Sequence, residues 1–182
     1  MNSSIILDAK FKELETLLFT TNPRDIQVTG APFIVLLYPP ESEIDARRRI
    51  SILTSKLESR GRMVRVFEPG PVLFQHLDSL GKCKEAFDAE RRDHTQMRSI
   101  MAAKLYIQEL ERLDKEADPN TIIFVTRAGG FYRHINIFTL LERLASVVAT
   151  PTVLFIPASN TTKDDYLFLG IEETQKYRGH YI

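Results

Sequence analysis

A chain of 182 residues with 43% hydrophobic and 26% charged residues, and no low-complexity tract, is long enough to bury a sizeable core without a staple. Lys+Arg and Asp+Glu are equal at 24 each, which excludes a global field drawing the chain onto nucleic acid or an anionic membrane and leaves only local contacts. Cys83 is the single cysteine, no apolar run approaches the ~18 residues of a membrane span, and nothing at the N-terminus resembles a signal peptide; a cytoplasmic protein without an internal disulfide is expected.

Helical spacing of Ile6, Leu7, Phe11, Leu14, Leu17 and Leu18 predicts an N-terminal amphipathic helix over about 5–19, broken at Pro23. The apolar run Pro32 to Tyr38, closed by Pro39 and Pro40, predicts a strand buried on both faces of a parallel sheet. Ser42 is placed to cap the next helix, with Glu43 and Asp45 in its first turn and Ile50, Leu53 and Leu57 on its inner face up to Gly61. Arg62 to Glu68 reads as a second strand. Gly70 and Pro71 punctuate, and a short helix carries Leu73, Phe74, Leu77 and Leu80 as far as Gly81. A long helical stretch follows, with Phe87, His94, Met97, Met101, Leu105, Leu110 and Leu113 at threes, fours and sevens.

Thr121 to Thr126 is the third predicted strand, Phe138 to Val147 a helix, and Thr152 to Pro157 the fourth strand. "YLFLGI" and the terminal "YRGHYI" are short segments suited to edge strands. Alternating strands and helices predict an α/β fold: one three-layer domain over residues 1–182, with a mostly parallel sheet, helices on both faces, right-handed crossovers and antiparallel edge strands near the C-terminus.

Ligands of open α/β sheets gather outside the carboxyl ends of the strands. Parallel strands would bring three loops to one edge, with Tyr38, Glu41, Arg127, Gly129, Gly130, Tyr132, Arg133, Ser159 and Asn160 as candidate binding residues. Within "TRAGGFYRH" (Thr126 to His134) there is no Walker lysine or hydroxyl, and two adjacent glycines do not make a dinucleotide fingerprint. The surviving ligand reading is a turn with positive φ, followed by a helix N-terminus that holds an anion with Arg127 or Arg133; the bland reading is a turn tightened for packing. Dispersed His76, His94, His134 and His180 and the lone Cys83 do not form a metal set, and no G-x-S-x-G elbow accompanies Ser159, so no metal, cofactor or catalytic residue is expected.

The run Arg47, Arg48 and Arg49 follows Glu43 and Asp45, so i,i+4 pairs would absorb Arg47 and Arg49 on a solvated helix face and leave Arg48 over. With Arg60, Arg62 and Arg65 it outlines a modest basic region, a second alternative site for nucleic acid.

"PFIVLLYPPESEIDARRRI", "TRAGGFYRHINIFTLLERLASVVATPTVLFIPASN" and "KYRGHYI" together resemble the BrxB family of BREX bacteriophage-exclusion operons, over about half of the chain. The matching pieces are Tyr38 to Glu41, Arg47 to Arg49, Gly129 and Tyr132, Leu140 and Leu141, Val153 to Pro157, and Tyr177 with Arg178. Arg127, Arg133, His134, Asn136 and Ala158 depart from the pattern. The resemblance implies antiphage defence in a multiprotein system, as an assembly component with a PglZ alkaline-phosphatase-like protein as partner. A non-enzymatic adaptor is therefore the leading expectation, supported by Phe131, Tyr132 and Tyr166 read as exposed loop aromatics. A degenerate nucleotide- or anion-binding domain is the alternative.

Overall fold

A computed structural model describes the chain except at residues 1–2, 21–30, 93–96, 133 and 160, and gives backbone alone at 3, 87, 89–92 and 97–101. Its centre is built from the continuous apolar runs. β1 (Phe33–Tyr38) and β3 (Thr121–Val125) are buried throughout, and β4 (Thr152–Ser159) is buried up to its last residue, as strands covered on both faces must be. With β2 (Met63–Phe67) and β7 (His180–Tyr181) they run in the order β2-β3-β4-β1-β7, every neighbour parallel.

β5 (Asp165–Phe168) and β6 (Glu172–Gln175) form an antiparallel hairpin that pairs with the end of β4. The mostly parallel sheet and the antiparallel strands near the C-terminus thus match the expected architecture. The terminal strand differs, because β7 lies parallel to β1. Beyond it, Ile182 N donates to Val35 O at 2.9 Å and Leu37 N donates to Ile182 O at 3.2 Å. Lys10 fastens this edge to the N-terminal helix: its Nζ donates to Leu37 O (2.8 Å) and Ile182 O (3.0 Å).

Alternation along the strands divides the core. Ile34, Leu36, Tyr38, Ile122, Phe124, Val153 and Phe155 face α1 (Ser3–Thr20) and α2 (Glu43–Glu58), which contribute Leu7, Phe11, Leu14 and Leu18, and Ala46, Ile50, Leu53 and Leu57. Phe33, Val35, Leu37, Ile123, Val125, Leu154 and Ile156 face the opposite layer. There α5 (Met97–Lys115) and α6 (Ile137–Leu144) contribute Tyr106, Leu110 and Leu113, and Leu140, Leu141 and Leu144, while α3 (Pro69–Ser79) adds Val72 and Leu73. Each large side chain buried this way stabilises by about 1.5–3 kcal/mol.

Several local expectations are corrected. Ser42 precedes α2 but makes no side-chain cap bond; its own N–H donates to Pro39 O at 2.8 Å within the 3₁₀ turn Pro40–Ser42. Glu43 does pair with Arg47 (2.7 Å), but Arg49 reaches across to Asp8 of α1 (2.7 Å) rather than back to Asp45. Gly70 and Pro71 lie inside the first turn of α3, because Pro69 occupies an N-terminal position whose N–H would be unbonded anyway. Two helices, α4 (Cys83–Arg92) and α5, flank residues 93–96 where one stretch was predicted, and His94 lies outside the described residues. β4 extends two residues past Pro157, so Ser159 is a strand residue.

Candidate functional site

Parallel pairing brings the carboxyl ends of β2, β3, β4 and β1 to one edge of the sheet. Just past β2 and β3, Glu68 Oε1 accepts from Thr126 Oγ1 at 3.2 Å and from Arg127 Nε at 3.1 Å. Arg127 itself is left-handed, with φ 53°, a conformation that costs an L-residue about 1–2 kcal/mol. It leads into a 3₁₀ turn, Ala128–Phe131.

The double glycine resolves into two roles, neither of them a positive φ, which falls on Arg127 instead. A Cβ at Gly130 would lie 2.9 Å from Gly70 N and 3.0 Å from Pro69 Cγ, so Gly130 is what lets the turn close onto α3. A Cβ at Gly129 would meet only Leu169 Cδ2 at 3.6 Å. Phe131 then drops into the core, stacked on Phe67 (centroids 6.0 Å, 17°) and edge-on to Tyr106 (5.2 Å, 84°).

Backbone parity decides what covers this edge. Ile123 N of β3 donates to Pro151 O at 2.9 Å, so odd-numbered positions along β4 point their backbone groups toward β3. The Pro157 carbonyl, of the same parity, accepts from Leu169 N at 2.8 Å. β3 has already ended, its last pairing being Val125 with Leu154, so Pro157 forfeits no ladder bond. The β5–β6 hairpin therefore continues the sheet over the carboxyl end of β3, in the place where an α/β fold holds its ligand. Ser159 pairs with Leu167 of that hairpin, and its Oγ stands 3.3 Å from where a Cβ on Gly170 would fall.

The helix N-terminus beyond the turn is also occupied. Asn136 Oδ1 accepts from Phe138 N (2.9 Å) and Thr139 N (3.4 Å) at the start of α6, while its Nδ2 donates to Glu172 Oε1 of β6 (3.0 Å). An amide cap thus stands where the sequence reading placed an anion, and it locks α6 to the hairpin.

Of the predicted residues, Gly129 and Ser159 lie against the hairpin, Arg127 pairs with Glu68 and Gly130 closes onto α3; Arg133 and Asn160 lie outside the described residues. Tyr38 is buried toward α2, where its hydroxyl donates to Glu43 Oε2. Desolvation first, and then Glu43, push its phenol well above the usual range. Glu41, Arg48 and Arg178 are exposed, with Arg48 on the outer side of α2, and Tyr132 is partly buried against the core.

The expected loop aromatics are not surface groups: Phe131 and Tyr166 are 0% and 1% exposed. Large apolar exposure lies instead at Ile44 (82%), Ile171 (66%) and Ile5 (61%). The basic region is partly spent on internal contacts, Arg47 with Glu43, Arg49 with Asp8 and Arg60 over the Phe19 ring at 3.9 Å. Two open cavities, of about 430 and 350 Å³, are lined by Asn136, Phe138, Asp165, Glu173 and Gln175, and by Asp114, Asp118, Thr121 and Thr150 with their neighbours. Neither contains a predicted site residue. Among the described residues no three His, Cys, Asp or Glu side chains group as metal ligands, and no helix is long and apolar enough to cross a membrane.

Sequence reasoning overlooked Glu68 and Asn136. A carboxylate directly between a strand and a helix-starting Pro69, and an Asn immediately before "IFTLL", were the available signals; the second is an N-cap signature.

Comparison with known proteins adds an independent line. The family model described as BREX protein BrxB matches residues 71–182. A protein of Bacillus cereus (strain H3081.97), named BREX protein BrxB, is 24% identical over 154 residues, 80% of this chain and 80% of its own. No solved structure matches.

Proposed function

The chain belongs to the BrxB family and so is a component of a BREX antiphage system; on that premise we propose that it acts there as a non-enzymatic adaptor that binds another component, the PglZ alkaline-phosphatase-like protein. The carrying observation is the hairpin over the carboxyl end of β3: the ground an α/β enzyme gives to its ligand is filled by the chain's own β5 and β6. Exposed Ile5, Ile44 and Ile171 supply apolar surface for contact. Co-expression with the PglZ-like protein of the same operon, followed by size-exclusion chromatography, is expected to give co-elution. Separate elution from that protein and from every other neighbour-encoded component overturns the proposal.

One observation favours a second reading. Glu68 engages only Nε of Arg127, whose side chain is 51% exposed, so its remaining donors face outward as an anion site would require. A thermal-shift screen with nucleotides, pyrophosphate and magnesium tests it, since a ligand at 100 times its dissociation constant adds about 2.7 kcal/mol. No shift with any of them removes this reading.

A further inference from the structure

β2 is the outermost strand of the sheet beside β3, and its free side is open in a specific way. Met63 N donates to Asn120 O (3.1 Å) and Phe67 O accepts from Thr126 N (3.0 Å), so odd positions of β2 face β3 and even ones face outward. At the two ends the outward groups are used, Arg62 N by Leu57 O (3.1 Å) and Glu68 O by Val72 N (3.2 Å). That leaves the N–H and C=O groups of Val64 and Val66, with no partner among the described residues, as a short unpaired row. Val66 and Met63 are 49% and 43% exposed, so apolar side chains flank the row on both faces of the sheet. Exposed edges are usually blunted by charge, proline or a bulge; here the charged residue between the two valines is Arg65, whose Nε is buried without a hydrogen-bond partner.

We infer that the outer edge of β2 is a docking site for an extended segment of a partner protein, added as an extra strand and carrying a carboxylate opposite Arg65. The charge selects the occupant. Two copies of this chain paired antiparallel through Val64 and Val66 would centre on Arg65 and set it against its own copy, a like-charge pair that destabilises a sheet. An acidic segment with apolar neighbours instead completes the four backbone bonds, covers Met63 and Val66 and brings a carboxylate to the Arg65 guanidinium, beside the Asp118 carboxylate that already feels its charge. The inference rests on the adaptor reading for its partner.

Amide hydrogen exchange by NMR on the full chain tests it, with an acetylated peptide of about ten residues alternating valine and glutamate as probe, and its valine–lysine counterpart as control. Val64 and Val66 should exchange freely in the chain alone while Arg65 and Phe67 are protected, and the glutamate peptide should slow both valines about tenfold or more. The lysine peptide should not, and Arg65→Glu should reverse the preference. Protection of Val64 and Val66 in the free chain, no slowing by the glutamate peptide, or equal slowing by both peptides overturns the inference. Val66→Pro separates this from the adaptor reading, because the lost N–H belongs to the outward row and the β2–β3 ladder is kept. If wild type and Val66→Pro both co-elute with the PglZ-like protein, the edge is not the interface and the adaptor stands. If neither does, the adaptor falls and the peptide exchange still decides the edge.

Discussion

Replacing Gly130 by alanine builds a Cβ into a space already taken by Gly70 N at 2.9 Å and Pro69 Cγ at 3.0 Å. Neither obstacle can swing aside. One is backbone and the other a ring fixed in the first turn of α3, so relief requires α3 to move away from the turn that holds Phe131 over Phe67 and Tyr106. Overpacking of this kind costs about 1–3 kcal/mol. For a chain of this size, at roughly 2–4 °C per kcal/mol, the midpoint of thermal unfolding should fall by about 2–12 °C. Gly129→Ala is the internal control: its Cβ meets Leu169 Cδ2 at an ordinary 3.6 Å, and its φ lies outside the left-handed region. Stiffening of the unfolded chain should then leave Gly129→Ala neutral or up to about 1 kcal/mol more stable. Urea denaturation, comparing midpoints at constant slope, reads both. Equal midpoints for Gly130→Ala and wild type, or equal losses for the two alanine variants, would refute the close-approach argument.

Other expectations follow from the same geometry. Asp114 Oδ1 accepts from Ala149 N (3.0 Å) and Thr150 N (2.7 Å) and so ties the end of α5 to the loop before β4; Asp114→Ala should cost about 1.5–3 kcal/mol in urea melts, and a loss below about 0.5 would mean the loop holds itself. Arg127→Gly should be more stable than Arg127→Ala by about 1 kcal/mol, since both lose the half-exposed Glu68 pair but only glycine relieves the left-handed φ; the reverse order would show the strain to be absent. Burial raises the phenols of Tyr38, Tyr106 and Tyr166, and that of Tyr181 to about 12. Above pH ~10 the unfolded chain releases these protons and the folded one keeps them, so stability falls with rising pH, by up to about 1.4 kcal/mol per unit for each tyrosine. Lys10, whose pKa burial lowers, opposes this only below 10.5; an unfolding midpoint unchanged between pH 10 and 12 would contradict the burial of the phenols.

Features legible in the sequence were those set by local pattern. "FIVLLY", "TIIFV" and "TVLFIP" announced buried strands by unbroken apolarity, and their parallel arrangement followed from the helices between them. What escaped was decided by distant partners. Arg49 had a carboxylate four residues away, yet Asp8 of another helix is the one it meets. Phe131 and Tyr166 sit in segments that read as loops, but the turn and the hairpin fold onto the core face of the sheet and carry both rings inside. The double glycine was visible as a signal, and of its two readings the packing turn is the one that fits Gly130, but the partners it approaches, Pro69 and Gly70, lie in no local window. Of the candidate residues, Gly129 and Ser159 lie against the hairpin, which was foreseen only as an edge strand, while Arg127 turns to Glu68 and Gly130 to α3.

β1 has a further consequence for how the chain reaches its fold. This strand, set between β4 and β7, finds both neighbours far along the sequence, Phe33 opposite Thr152 and Ile34 opposite His180. Its apolar run therefore stays without strand partners until residues beyond 150 exist and have been brought back across a long loop. High contact order of this kind slows folding. During synthesis "FIVLLY" is a bare, strongly strand-forming segment for most of the time it takes to make the rest, and ribosome-bound chains stopped before residue 150 should engage chaperones or aggregate through it.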